Sequence, residues 1–177
     1  LVEDGKLKWD DPVVKHIPEF RVADPYVTRE VTIRDLLVHR TGIETMDILW
    51  MRGFDTRTSI DHMQYAKQAS SLRSTWAYNN SMYVVAAEVV ARVSGMTFQE
   101  FVTRRIFAPL GMSDSLFTGP DLAKRPNVTG AHLIEQGVTR ATEPYLSPEP
   151  LGAAGVQSSV ADMAKWLRML LAKGTFD

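Results

Sequence analysis

Tyr78, Asn79, Asn80 and Ser81 are the residues of this 177-residue chain whose types and spacing best suggest chemistry. In an extended or turn segment residues i and i+2 point the same way, so Tyr78 and Asn80 can face one cleft together. A long amphipathic helix is expected directly behind them, and a helix N-terminus favours nearby negative charge, a phenolate included. Y-x-N is only three positions long, however. The same residues also read as a half-buried Tyr beside a helix-capping Asn80.

Self-sufficient catalytic signatures are missing. The sequence contains no G-x-S-x-G elbow, H-E-x-x-H pair, Walker loop or G-x-G-x-x-G turn. None of its seven lysines has a Ser three residues before it, so S-x-x-K is absent. His16, His39, His62 and His132 are scattered without metal-ligand spacing and read as surface or locally hydrogen-bonded residues, so no metal is expected. Asp35, Glu100 and Asp162 look like candidate acids, but each falls at the third position of a capped helix, where a carboxylate satisfies free backbone N–H groups.

Composition narrows the classes further. Twenty Lys and Arg balance 21 Asp and Glu, and no segment is a basic block, so nucleic-acid binding has no electrostatic basis. The lack of cysteine excludes thiolate metal sites and Cys nucleophiles. No apolar run reaches the roughly 18 residues of a membrane span. With 45% hydrophobic residues the chain can bury a core as one domain over 1–177.

The elements that must hold Tyr78 and Asn80 are mostly helical. Residues 1–5 read as a last helical turn closed by Gly5, which implies a piece of a longer product. Three prolines make 6–30 extended or turn structure, with one short helical piece near Val13. Thr32 and Asp35 start a short helix ending near His39. An apolar loop follows over 43–57, either a wall of the site or tucked onto the core, and a helix is expected from Ser59 to about Ala69.

The best helix follows Asn80 and Ser81. Its stripe is Met82, Val85, Ala86, Val89, Val90 and Val93, and Gly95 ends it. Thr97 and Glu100 form a capping box for another helix that runs to about Phe107. A hairpin is expected at Gln136-Gly137, and Ser159 caps a last helix with Val160, Met163, Ala164, Leu167, Leu170 and Leu171 on one side.

Five blocks then carry a resemblance. They are the 1–13 segment LVEDGKLKWDDPV, the 31–42 segment VTIRDLLVHRTG, Tyr78-Asn79-Asn80, the 106–112 segment IFAPLGM and the 153–163 segment AAGVQSSVADM. In this order and at these separations the chain resembles the serine β-lactamase-like family of class C β-lactamases, D,D-carboxypeptidases, D-aminopeptidases and esterases, which are penicillin-binding-protein-like. The resemblance departs at Arg40-Thr41 and Ala154.

The resemblance implies a mainly α chain, the helical subdomain of an α+β fold with most of its antiparallel sheet missing. It implies acyl transfer on a β-lactam, D-amino-acid peptide or small ester, with no cofactor. A Ser in S-x-x-K would attack the carbonyl carbon, with Lys and Tyr78 keeping a base available for its proton, and Asn80 would orient the substrate. A free Tyr titrates near 10, so Tyr78 would need cationic neighbours.

The family's K-T-G or H-x-G strand is also absent, so the isolated chain is expected to be inactive. His39 and Trp76 are read as structural residues beside the site. Self-association through faces meant for the sheet and an extracytoplasmic location are further expectations. The other function class is a catalytically dead relative that binds ligands or partners.

Overall fold

A computed structural model describes residues 1–143 and 152–176. Helices α1 (Val13–His16), α2 (Pro25–Glu30) and α3 (Ile33–Leu37) come first, followed by the turn α4 (Ile48–Met51) and α5 (Thr56–His62), which tightens into a 3₁₀ turn at Met63–Tyr65. Helix α6 (Asn80–Ser94) is central, and α7 (Phe98–Val102) continues through a π-helical turn at Thr103–Phe107. Strands β1 (Leu116–Phe117), β2 (Ala131–Glu135), β3 (Val138–Thr142) and β4 (Val156–Gln157) precede α8 (Val160–Leu171). Among the described residues, the strands form two separate antiparallel pairs, β1 with β4 and β2 with β3.

Local chemistry explains most boundaries. Thr32 Oγ1 accepts from the Asp35 N–H at 3.3 Å while the Asp35 carboxylate accepts from the Thr32 N–H at 3.0 Å, a reciprocal cap for α3. Thr97 and Glu100 repeat this at α7. Gly95 ends α6 at φ +70°, a left-handed conformation that suits glycine.

Two expectations are corrected. Pro25 opens α2 because Asp24 caps it and proline fits the first helical position, where its missing N–H is not needed. Helix α5 starts at Thr56, three residues before Ser59, behind the Asp55 cap, and ends at His62, because 66–69 is drawn into extended pairing with 42–44. The last turn expected over 1–5 is present: the Lys6 N–H donates to the Leu1 carbonyl at 3.0 Å and the Gly5 N–H to the Val2 carbonyl at 2.9 Å, the paired bonds of a helix C-terminus, with Gly5 at φ +68°.

The core lies between α1, α3, α5 and α6. Val13, Ile17, Phe20, Leu36, Met82 and Val85 are fully buried, and each such side chain contributes about 1.5–3 kcal/mol. Helix α6 touches α1, α3, α5 and α7, so Ser81, Val84 and Ala87 are buried beside the expected stripe. Helix α8 differs: Asp162 is its buried residue, and Leu167 and Leu171 stay 54% and 85% exposed.

Candidate active site

The site begins with the 39–44 segment, which the chain after α5 laces in place. The Arg73 N–H donates to the Arg40 carbonyl at 2.7 Å, the Ala69 N–H to the Gly42 carbonyl at 2.8 Å and the Glu44 N–H to the Lys67 carbonyl at 2.9 Å. Gln68 Nε2 donates to the Thr41 carbonyl at 2.8 Å. Gly42 sits at φ +71°, and a Cβ there would lie 2.1 Å from the Ser70 carbonyl oxygen, so the close approach requires glycine.

Residues 77–79 arrive extended at the N-terminus of α6. Asn79 caps that helix, because its side-chain oxygen accepts from the Met82 N–H at 3.3 Å. Its Nδ2 donates to the Ile43 carbonyl at 2.8 Å, which ties the cap to the 39–44 segment. The capping alternative therefore belongs to Asn79, one residue earlier than expected, and Asn80 is the first helical residue.

Tyr78 is 60% exposed at this junction. Its ring lies 4.6 Å from the His39 ring, and Trp76 meets His39 edge-on at 5.8 Å. Trp76 is exposed, so its packing partners are these rings and not the core. Asn80 Nδ2 donates to Asp47 Oδ2 at 2.9 Å, and the other Asp47 oxygen accepts from the Thr45 hydroxyl.

Tyr78 and Asn80 are thus brought to one helix end, each with its own neighbours, and no hydrogen bond joins their side chains among the described residues. The 46–51 segment divides: Leu49 is buried on the core, while Ile48 and Met51 face outward. The Met46 N–H donates to the buried Ser81 Oγ at 2.9 Å, which fixes that segment against α6.

Charge beneath the site is largely neutralised. Arg73 holds the buried Asp35 carboxylate with three hydrogen bonds of 2.7–3.1 Å. Burial pushes the Asp35 carboxyl up, but Arg73 and Thr32 together outweigh that and hold it below the usual carboxylate range. Arg40 donates to the Arg73 carbonyl. Among the described residues no group of three or more His, Asp or Glu side chains is placed to hold a metal ion.

Asn79 and Asp47 join the site beyond the residues the sequence points to, and His39, expected beside it as a structural residue, brings its ring against Tyr78. The Asn doublet conceals which Asn caps, although Asn79 has the three-residue spacing to the first apolar helical position, Met82. Nothing local in the sequence marks Asp47.

The model of the Beta-lactamase family matches residues 1–176. An unguisins hydrolase of Aspergillus violaceofuscus is 29% identical over 97% of this chain and 33% of its own length. Penicillin-binding protein 4 of Amycolatopsis lactamdurans is 32% identical over 98% of this chain and 47% of its own.

Among solved structures, the octameric penicillin-binding protein homologue from Pyrococcus abyssi superposes with a TM-score of 0.80 at 27% identity, covering 99% of this chain and 42% of that one. The chain spans a third to a half of these relatives' length. Their fold is the penicillin-binding-protein-like fold of serine hydrolases, and by the match along nearly its whole length this chain belongs to the Beta-lactamase family.

Proposed function

We propose that these residues supply the tyrosine and asparagine of a serine acyl-transfer site that hydrolyses a β-lactam, a D-amino-acid peptide or a small ester. The carrying observation is the placement of Tyr78, open to solvent at the N-terminus of the 15-residue α6 with Asn80 one step into the helix. Tyr78 would share in moving the nucleophile's proton, and Asn80 would orient the acyl group.

In the whole protein, Tyr78→Phe is expected to lower kcat/KM about 10²–10⁴-fold, the usual contribution of a positioned acid–base group. An unchanged kcat/KM would overturn the role. The 177 residues by themselves contain neither S-x-x-K nor K-T-G or H-x-G, so this chain alone is expected to leave nitrocefin and p-nitrophenyl esters intact. Hydrolysis abolished by Tyr78→Phe would refute that inactivity.

The finer fold reading is part of the same proposal: one domain, mainly helical, from an α+β fold whose antiparallel sheet lies mostly outside these residues. It is supported by two uncovered apolar surfaces, the stripe on α8 and a groove of about 480 Å³ lined by Leu1, Val2, Val90, Phe98 and Phe101 among others. Such surfaces would also support self-association, and the Pyrococcus abyssi homologue is octameric. Light scattering on this chain would read it directly.

No helix among the described residues is long and apolar enough to cross a membrane. An extracytoplasmic place of action is proposed from the family alone. One observation favours the second reading, a catalytically silent ligand-binding relative: Asp47 already accepts the Asn80 amide. If a substrate analogue bound to the whole protein contacts neither the second N–H nor the Oδ1 of Asn80, Asn80 does not orient the acyl group.

A further inference from the structure

We infer that His39 is the positioning residue of Tyr78, acting through the backbone N–H groups of Ala77 and Asn79 on either side of it. The inference rests on the reading of Tyr78 as a site residue, and it reverses the expectation that His39 is merely structural. His39 sits at φ +56°, a left-handed conformation that costs an L-residue about 1–2 kcal/mol. Such strain persists where surrounding contacts over-determine it.

Those contacts all converge on Tyr78. The His39 carbonyl accepts from the Ala77 N–H at 2.9 Å, and His39 Nδ1 lies 3.1 Å from the Asn79 nitrogen, whose N–H points to it. One residue therefore grips the backbone on both sides of Tyr78. The ring fills the space between, 4.6 Å from Tyr78 and 5.1 Å from Tyr83. Tyr83 is itself fixed, its hydroxyl donating to the Leu37 carbonyl at 2.8 Å.

The Asn79 N–H is a donor, so Nδ1 must present its lone pair. The ring is then the neutral tautomer with its proton on Nε2, because an imidazolium would set an N–H against an N–H. In this left-handed conformation His39 presents both its carbonyl and Nδ1 to residues 77–79. Asparagine meets both requirements, since it tolerates that backbone and carries an oxygen acceptor at the δ position. Phenylalanine keeps the ring packing and the backbone carbonyl but has no acceptor for the Asn79 N–H.

The test is nuclear magnetic resonance on this chain with labelled histidine and tyrosine. At neutral pH, His39 Nδ1 should resonate as an unprotonated ring nitrogen and Nε2 as an N–H. In His39→Phe the Asn79 amide should exchange with solvent about threefold to tenfold faster, the loss of one hydrogen bond, and the Tyr78 ring signals should shift toward those of a free tyrosine. His39→Asn should restore the Asn79 protection.

Val13 amide protection, far from the site, reports that each variant is folded. A proton on Nδ1 at neutral pH, or Asn79 exchange unchanged in a folded His39→Phe, would overturn the inference. In the whole protein His39→Phe should lower kcat more than it changes KM; an equal change in both would also count against it. If Tyr78→Phe leaves activity intact while these signatures hold, the functional reading fails and the His39 grip on the Tyr78 backbone stands.

Discussion

Residues 7–89 and residues 111–176 carry similar proportions of apolar residues and end up differently. The first region closes on itself: buried apolar side chains from Leu7 to Val89 form one cluster, and segments 30–40 residues apart hydrogen-bond across it. The second region is held at a few polar points, while its apolar stripe on α8 faces outward. The candidate site grows from the first region. Precise placement of Tyr78 needs a rigid support, and that region supplies one.

The largest expected effects break the first region. Leu36→Ala removes a fully buried side chain from α3 and is expected to cost about 2–5 kcal/mol. Gly42→Ala should be as severe, because its Cβ would meet backbone at 2.1 Å with no side chain able to move away. Leu167→Ala, on the exposed stripe of α8, should change stability by no more than about 0.5 kcal/mol in the monomer. Urea unfolding of the three variants measures the contrast, and a costly Leu167→Ala would show that α8 is covered in solution.

Next in size is the attachment of α8. The Asp162 carboxylate, 1% exposed at the side chain, accepts from the Asp114 N–H at 2.8 Å, the Ser115 hydroxyl at 2.9 Å and Lys165 Nζ at 2.8 Å. Asp162→Asn weakens all three charge-assisted bonds, and amide protection in α8 should fall about tenfold while that of α6 is unchanged. Equal loss in both helices would mean that the two regions unfold as one unit.

Acid should act on both regions together. Burial pushes Asp162 up, but Lys165, Ser115 and the Asp114 N–H outweigh it, and its carboxyl is held low, as is that of Asp35. Asp11 is held well below the usual range by Lys15, the Lys8 N–H and His16 against a smaller burial effect. A folded-state value below the unfolded one, about 3.9 for Asp, means that the stabilisation is full above that pH. It is lost as pH falls through the lower folded values. Stability measured from pH 6 downward should hold until about pH 4 and then decline; a decline already complete at pH 5 would contradict this.

Legibility in the sequence followed the range of each interaction. The Thr32–Asp35 and Thr97–Glu100 boxes, the Gly95 stop and the Gln136-Gly137 turn are settled within five residues, and all were readable. The short helix at Pro25 was hidden because proline there begins the helix instead of breaking it. The end of α5 was hidden because a partner 25 residues earlier, Ile43 opposite Gln68, draws the chain into extended form. The same holds at the site, where His39 meets Asn79 and Asp47 meets Asn80 over separations of 40 and 33 residues.

The smallest expected effect completes the contrast between two glycines of the same conformation. Gly137 sits at φ +79° in the turn of the β2–β3 hairpin, with Gln136 at φ +50° beside it, the pair of positive angles that a two-residue hairpin prefers. Nothing lies within 4 Å of a Cβ added there, whereas one at Gly42 meets the Ser70 carbonyl. Gly137→Ala therefore carries only the local left-handed cost of about 1 kcal/mol, and it falls on a hairpin whose residues are almost all exposed. Hairpin amides should lose protection while the urea midpoint of the chain stays put. A midpoint that shifts as far as it does for Gly42→Ala would mean the hairpin packs on the 7–89 region, which its exposure denies.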